Sequence, residues 1–201
     1  MQKEILEFPP FLFPATDWFT LWLNTDQKLI LKNYPWNKQS SFNRFYIDGP
    51  NGGQKLTIPV IHPHQGASVD QIQICYDSDW QSIHLKTLNS VYNNSPFYEF
   101  LSNNLEDLYS SRPVYLIDFC LASIDLCLLW LKEKKANSSL SEEITNSHPV
   151  DFELKMGTLN HIQSKPYKQV FSYKNGFLPK RSVIDLIFNE GPLAKSHLLD
   201  Y

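Results

Sequence analysis

Hydrophobic and polar positions along the chain predict strands first and helices afterwards. Lys28-Leu-Ile-Leu-Lys32 reads as a strand, and Arg44-Phe-Tyr-Ile47 and Lys55-Leu-Thr-Ile58 are two β-rich runs. Between the last two lies Asp48-Gly-Pro-Asn-Gly-Gly53, the punctuation of a hairpin. Val69 to Ile74 alternates apolar and polar as a strand does. Thr16-Asp17 precede WFTLWL and predict a short capped helix. Ser78-Asp-Trp-Gln81 has the spacing of a capping box and opens a helix through about Asn93. Trp80, His84, Leu88 and Val91 or Tyr92 share one side of that helix. Ser95-Pro96 opens the next helix, with Ser as cap and Pro at the first position, running to about Tyr109. Pro113 starts a long apolar helix, Lys135 to Pro149 reads as a mobile polar loop, and Asp151 to Lys155 reads as a short strand. Lys180-Arg181-Ser182 precede a last helix, Val183 to Phe188, ended near Gly191. The expected class is α+β: a small, largely antiparallel sheet packed against a helical layer, in a single domain over 1–201 with a mobile loop at about 135–150.

Two segments need a physical test. A phosphate-binding glycine loop runs into a helix whose N-terminus receives the anion, whereas the glycines of DGPNGG run into a strand. DGPNGG is therefore a turn, and Asn51-Gly52 suits it because both positions tolerate positive φ. Val114 to Leu131 has a membrane-like composition, but Asp118 and Asp125 interrupt it on one helical face. Each carboxylate costs ~2.5–3.5 kcal/mol at a bilayer centre, so a buried helix with one wetted stripe is expected.

Composition narrows the function classes. The chain has 201 residues, is 42% hydrophobic and carries 13 Phe, 10 Tyr and 5 Trp, enough for a sizeable core. A net charge of -3 and the lack of a basic run exclude a nucleic-acid partner. Cys75, Cys120 and Cys127 have no zinc spacing, and an odd cysteine count without a signal peptide points to the cytoplasm. No membrane span is expected. No cofactor and no oligomeric state are indicated.

The combination NRFYI…GGQKLTIPV, DWQSIHLKTLNSVYNNSPFYEFL and YKQVFSYKNGFLPKRSVIDLIFNEGP resembles the WbqC-like protein family, over Phe8 to Pro192. That family takes its name from surface-polysaccharide (O-antigen) gene clusters. The resemblance implies a polar pair before the hairpin, here Asn43-Arg44, and a helical His after a Trp, here His84 after Trp80. It also implies an SxxDLLFxxG-like end, here Ser182, Asp185 and Asn189. This chain carries Lys180-Arg181 where many relatives have an uncharged pair, and FPPFLFPATDWF where relatives open with MQPYFFPYIGYF.

Each candidate residue has a structural and a functional reading. His84 is either a hydrogen-bonded core histidine or a general base, with Trp80 and Tyr92 lining a wall for a sugar or purine ring. Arg44 is either a surface residue or a bidentate anchor for phosphate or carboxylate, although strand alternation sends Asn43 to the opposite face. Asp185 and Asn189 neighbour each other on a helix, either as a buried anchor or as a positioning pair in which Asp185 orients His84. His62-Pro63-His64, completed by His148 or His161, has the look of a metal pair, but a solvated loop is the default and no metal site is expected.

The family resemblance, more than any single residue, implies a cytoplasmic transferase of acyl or aminoacyl type. Its substrate would be a nucleotide-linked sugar in surface-polysaccharide synthesis, with the sugar nucleotide or acyl donor as small-molecule partner. The alternative is a non-catalytic ligand-binding or scaffolding module of the same pathway.

Overall fold

Ile5–Phe8 (β1) and Lys28–Leu31 (β2) pair in parallel, with Leu6 opposite Lys28 and Phe8 opposite Ile30. Parallel neighbours need a crossover of about a dozen residues or more. The segment between them supplies it, carrying helix α1 (Thr16–Leu23). The structure is a computed structural model that describes residues 5–140, 147–149 and 165–199. The strand expected at Asp151 to Lys155 lies outside the described residues.

Two further short strands, Ser138–Ser139 (β5) and Ser147–Pro149 (β6), complete a four-stranded sheet in the order β5-β2-β1-β6. Every pairing in it is parallel. The expected largely antiparallel sheet is thus corrected: antiparallel pairing is confined to the separate hairpin of Arg44–Ile47 (β3) and Gln54–Thr57 (β4). The physical reason is that β1 is short, holds Glu7 and runs into Pro9-Pro10. β5 and β6 are Ser-rich and lie within the stretch read as a loop. The Ser-rich β5 and β6 have little strand propensity of their own, and they pair because β2 and β1 offer them the two apolar edges of the sheet.

The hairpin turn behaves as expected, with one refinement. Gly52 N–H donates to the Gly49 carbonyl at 3.1 Å, and Gly52 takes φ 99° while Asn51 does not enter the left-handed region. Val69 to Ile74 splits into a 3-10 turn at Val69–Gln71 and an extended tail that keeps Ile72 and Ile74 buried. The Ser-x-x-Gln capping pair belongs to this turn, where Gln71 Oε1 accepts the Ser68 N–H at 3.3 Å. The helix after Ser78 starts without a side-chain cap.

That helix, α2 (Trp80–Tyr92), buries Trp80, His84, Leu88, Val91 and Tyr92, the side predicted from periodicity. Helix α3 (Tyr98–Ser110) begins after Phe97, later than Ser95-Pro96 suggested. Helix α4 (Leu116–Trp130) leaves Asp118 exposed and Asp125 half-buried, the wetted stripe expected of it. Among the described residues no helix is long and apolar enough to cross a membrane. After the short α5 (Ser172–Asn175) come α6 (Val183–Glu190) and α7 (Ala194–Leu199). Helix α6 packs against α1, α3 and α4. At the sheet end, Phe8 meets Trp18 and Trp22 edge-on at 5.2 and 5.0 Å, docking α1 on β1.

A candidate cationic cleft between the N-terminal segment and the hairpin

The segment leaving β1 is stitched to two distant parts of the chain. Leu12 N–H donates to the Ser41 carbonyl at 3.0 Å, and Val183 N–H donates to Pro14 at 2.9 Å. Thr16 N–H returns to Arg181 at 3.0 Å, and Ser182 N–H reaches the Tyr46 carbonyl at 2.8 Å. Phe13 is held with φ 38°, its N–H donated to Ser123 Oγ at 3.1 Å. These bonds leave a cleft of about 510 Å³, within the size range of small-molecule sites.

Three cations line it: Arg44, Lys180 and Arg181. Asn43 is buried, its Nδ2 donating to the Ile58 carbonyl at 2.9 Å, and its Oδ1 accepts from Arg44 Nε and Nη2 at 3.4 and 3.3 Å. Asn43 therefore faces inward, as alternation required, yet still steers the guanidinium of Arg44. Lys180 has φ 58°, so two of the four described non-glycine residues in the left-handed region, Phe13 and Lys180, lie on this cleft. Such strain persists only where the surroundings enforce it, and it clusters at functional sites.

Polar groups of the cleft are incompletely satisfied. Ser182 Oγ and Arg181 Nε are buried without a hydrogen-bond partner. Asp17 is only 6% exposed, and its Oδ1 accepts the Trp18 N–H at 2.9 Å. Burial raises its carboxyl above the usual carboxylate range, while the Trp18 N–H and the charge of Lys180 pull it back. A site with three cations can receive an anionic ligand.

The other residues singled out from the sequence lie away from this cleft. His84 is 3% exposed and ringed by Phe45, Trp80 and Tyr109. Its Nε2 lies 3.2 Å from the Thr57 carbonyl, which can only accept, so Nε2 carries the proton. Its Nδ1 then accepts the Tyr109 hydroxyl at 3.1 Å. Burial pushes its pKa down to about 4 against the smaller lift from Thr57. Trp80 is buried against it, and Tyr92 is buried further along α2 against Phe188.

Asp185 is fully buried and bonded by Tyr92 Oη at 2.6 Å, Tyr167 Oη at 2.6 Å and Gln169 Nε2 at 2.9 Å. His84 and Asp185 thus have separate partners and do not bond each other. Burial raises the Asp185 carboxyl, the three donors lower it, and the charge of Asp48 raises it again. Asn189 donates to the Asp185 carbonyl at 2.7 Å and lines a different groove, of about 470 Å³, with Lys168, Gln169 and Tyr173. His62 and His64 are exposed, His161 lies outside the described residues, and no group of three His, Cys, Asp or Glu among the described residues is arranged to hold a metal.

The sequence profile of the WbqC-like protein family matches residues 9–150. The chain belongs to the WbqC-like protein family. The matched span holds the N-terminal segment, the hairpin and helices α2 to α4, so it includes Asp17 and Arg44 but ends before Lys180 and Arg181. No curated protein and no solved structure matches the chain. For this WbqC-like chain, the residues that sequence reasoning left out of the site are Asp17, Lys180 and Arg181. A signal was legible for the two cations. Two cations directly before the N-terminus of α6 sit at the positive end of its dipole, a placement that costs stability and so asks for another purpose.

Proposed function

We propose that this WbqC-like protein is a transferase of acyl or aminoacyl type that acts on a nucleotide-linked sugar in surface-polysaccharide synthesis, with the cationic cleft as its substrate site. The observation that carries the reading is the convergence of Arg44, Lys180 and Arg181 on one cleft from parts of the chain far apart in sequence. A nucleotide-linked sugar brings a diphosphate, which guanidinium groups hold bidentately. In this reading Asn43 positions Arg44, and the half-buried Phe11 and exposed Tyr46 offer ring faces at the cleft wall. His84, Trp80, Tyr92, Asp185 and Asn189 act through the framework, holding α2 and α6 in place behind the cleft. A cytoplasmic location suits a substrate made there. The reaction would join a sugar hydroxyl or amine to the carbonyl carbon of an activated donor, the nucleophile losing its proton as the donor's leaving group departs.

Thermal unfolding with a panel of nucleotide sugars tests the reading. A ligand at 100 times its Kd adds ~2.7 kcal/mol, roughly 5–11 °C for a chain of this size. The expected result is a shift with at least one nucleotide sugar that Arg44→Gln reduces. Mass spectrometry of the same mixtures with acyl donors separates turnover from the non-catalytic alternative. No shift with any nucleotide sugar would defeat the transferase and ligand-binding readings and leave the scaffolding one.

A further inference from the structure

Asp17 is the one carboxylate among the described residues lining the cleft. Its Oδ1 takes the Trp18 N–H, while among the described residues Oδ2 bonds no other residue and is not one of the sealed side-chain atoms left without partners. What surface this carboxylate keeps is therefore turned to the cleft. Asp17 and Lys180 feel each other's charge but form no ion pair. A buried carboxylate on the wall of an anion site repels phosphate and costs desolvation, so a purely anionic ligand gains nothing from it. A ligand that carries an ammonium as well as a phosphate gains a charge-assisted bond from the same group.

Resting on the reading of the cleft as the substrate site, we infer that it selects a zwitterionic substrate, a nucleotide-linked sugar with a free primary amine. The diphosphate lies on Arg44, Lys180 and Arg181, and the amine lies on Asp17 Oδ2. Asp17 is then the group that distinguishes an amino sugar from its hydroxyl counterpart. A site that pairs a buried charge rejects the analogue lacking the complementary group far better than an apolar pocket does.

Isothermal titration of the full chain tests this with matched pairs of nucleotide sugars. One member of each pair carries a free amine at carbon 2, 3 or 4 of the sugar, and the other the hydroxyl. The expected result is at least one amine bound about tenfold or more tighter than its partner. Asp17→Asn should remove that preference by weakening the amine while the hydroxyl partner binds as tightly or tighter, with unfolding midpoints confirming an intact fold. Lys180→Gln should weaken both members alike. Equal affinity within every pair for the wild type, which needs no variant, overturns the inference and leaves the substrate reading standing. So does a preference that survives Asp17→Asn. Failure of every compound to bind at millimolar concentration overturns the substrate reading and the inference with it.

Discussion

The Tyr92 hydroxyl donates to Asp185 Oδ1 at 2.6 Å, joining the last turn of α2 to the first turn of α6 inside the core. The other carboxylate oxygen takes Tyr167 and Gln169, which ties the 165–178 segment to the same point. Asp185 is a structural hub, and α6 begins beside the cleft at Ser182. Asp185→Asn should cost on the order of 2–4 kcal/mol, because whichever way the new amide turns, its NH2 meets an existing donor. Tyr92→Phe should cost about 1–3 kcal/mol. Urea unfolding of both single variants and the double should show coupling well above about 0.5 kcal/mol. Additive losses would mean that the hydroxyl contributes nothing to holding α6.

His84 makes stability depend on pH. An exposed histidine titrates near 6.5, whereas burial holds His84 down at about 4. Between these values the unfolded chain takes up a proton that the native chain does not. Stability therefore falls as pH drops from about 6.5 to about 4, by on the order of 3 kcal/mol, and this contribution is constant below that. Asp17 and Asp185, raised by burial, act in the opposite sense, since the native chain protonates them first as pH falls. The difference between wild type and His84→Gln isolates the histidine. Unfolding midpoints across this window should fall more steeply in the wild type, and parallel curves would show that His84 is not held neutral.

Gly53 controls Arg181. A Cβ at Gly53 would stand 2.8 Å from Arg181 Nη2 and 2.9 Å from its Cζ, and the glycine backbone is not left-handed. Gly53→Ala should therefore displace a flexible side-chain end and change stability by less than about 1 kcal/mol. Ligand affinity at the cleft should fall several-fold. Calorimetry that finds affinity unchanged with the fold intact would remove Arg181 from the ligand's contacts.

What was legible in the sequence followed local periodicity. The buried side of α2 and the hairpin at Asp48–Gly53 came out as read, because spacing and turn residues set both within a few positions. The parallel sheet did not, because its pairings lie in tertiary context. Ile5–Phe8 pairs with Lys28–Leu31 across a helix and with Ser147–Pro149 across most of the chain, and Ser-rich strands carry no alternation to read.

The site shows the same division. Arg44 was legible as an exposed cation beside a turn, and the structure places it on a cleft. Asp17 read as part of a helix cap, since nothing local tells that its carboxylate is buried beside residues 180–182. Lys180 and Arg181 were visible as departures from the pattern of relatives, but their meaning depends on the bonds that bring Ala15 against Ser182.

The most direct measurement is calorimetric titration of UDP into the wild type and into Arg44→Gln, Lys180→Gln and Arg181→Gln. Measurable binding to the wild type is expected, weakened about tenfold or more by each loss of charge and by added salt, with unfolding midpoints close to the wild type. Binding that is indifferent to all three substitutions, or absent from the wild type, would contradict the assignment of this cleft as the site.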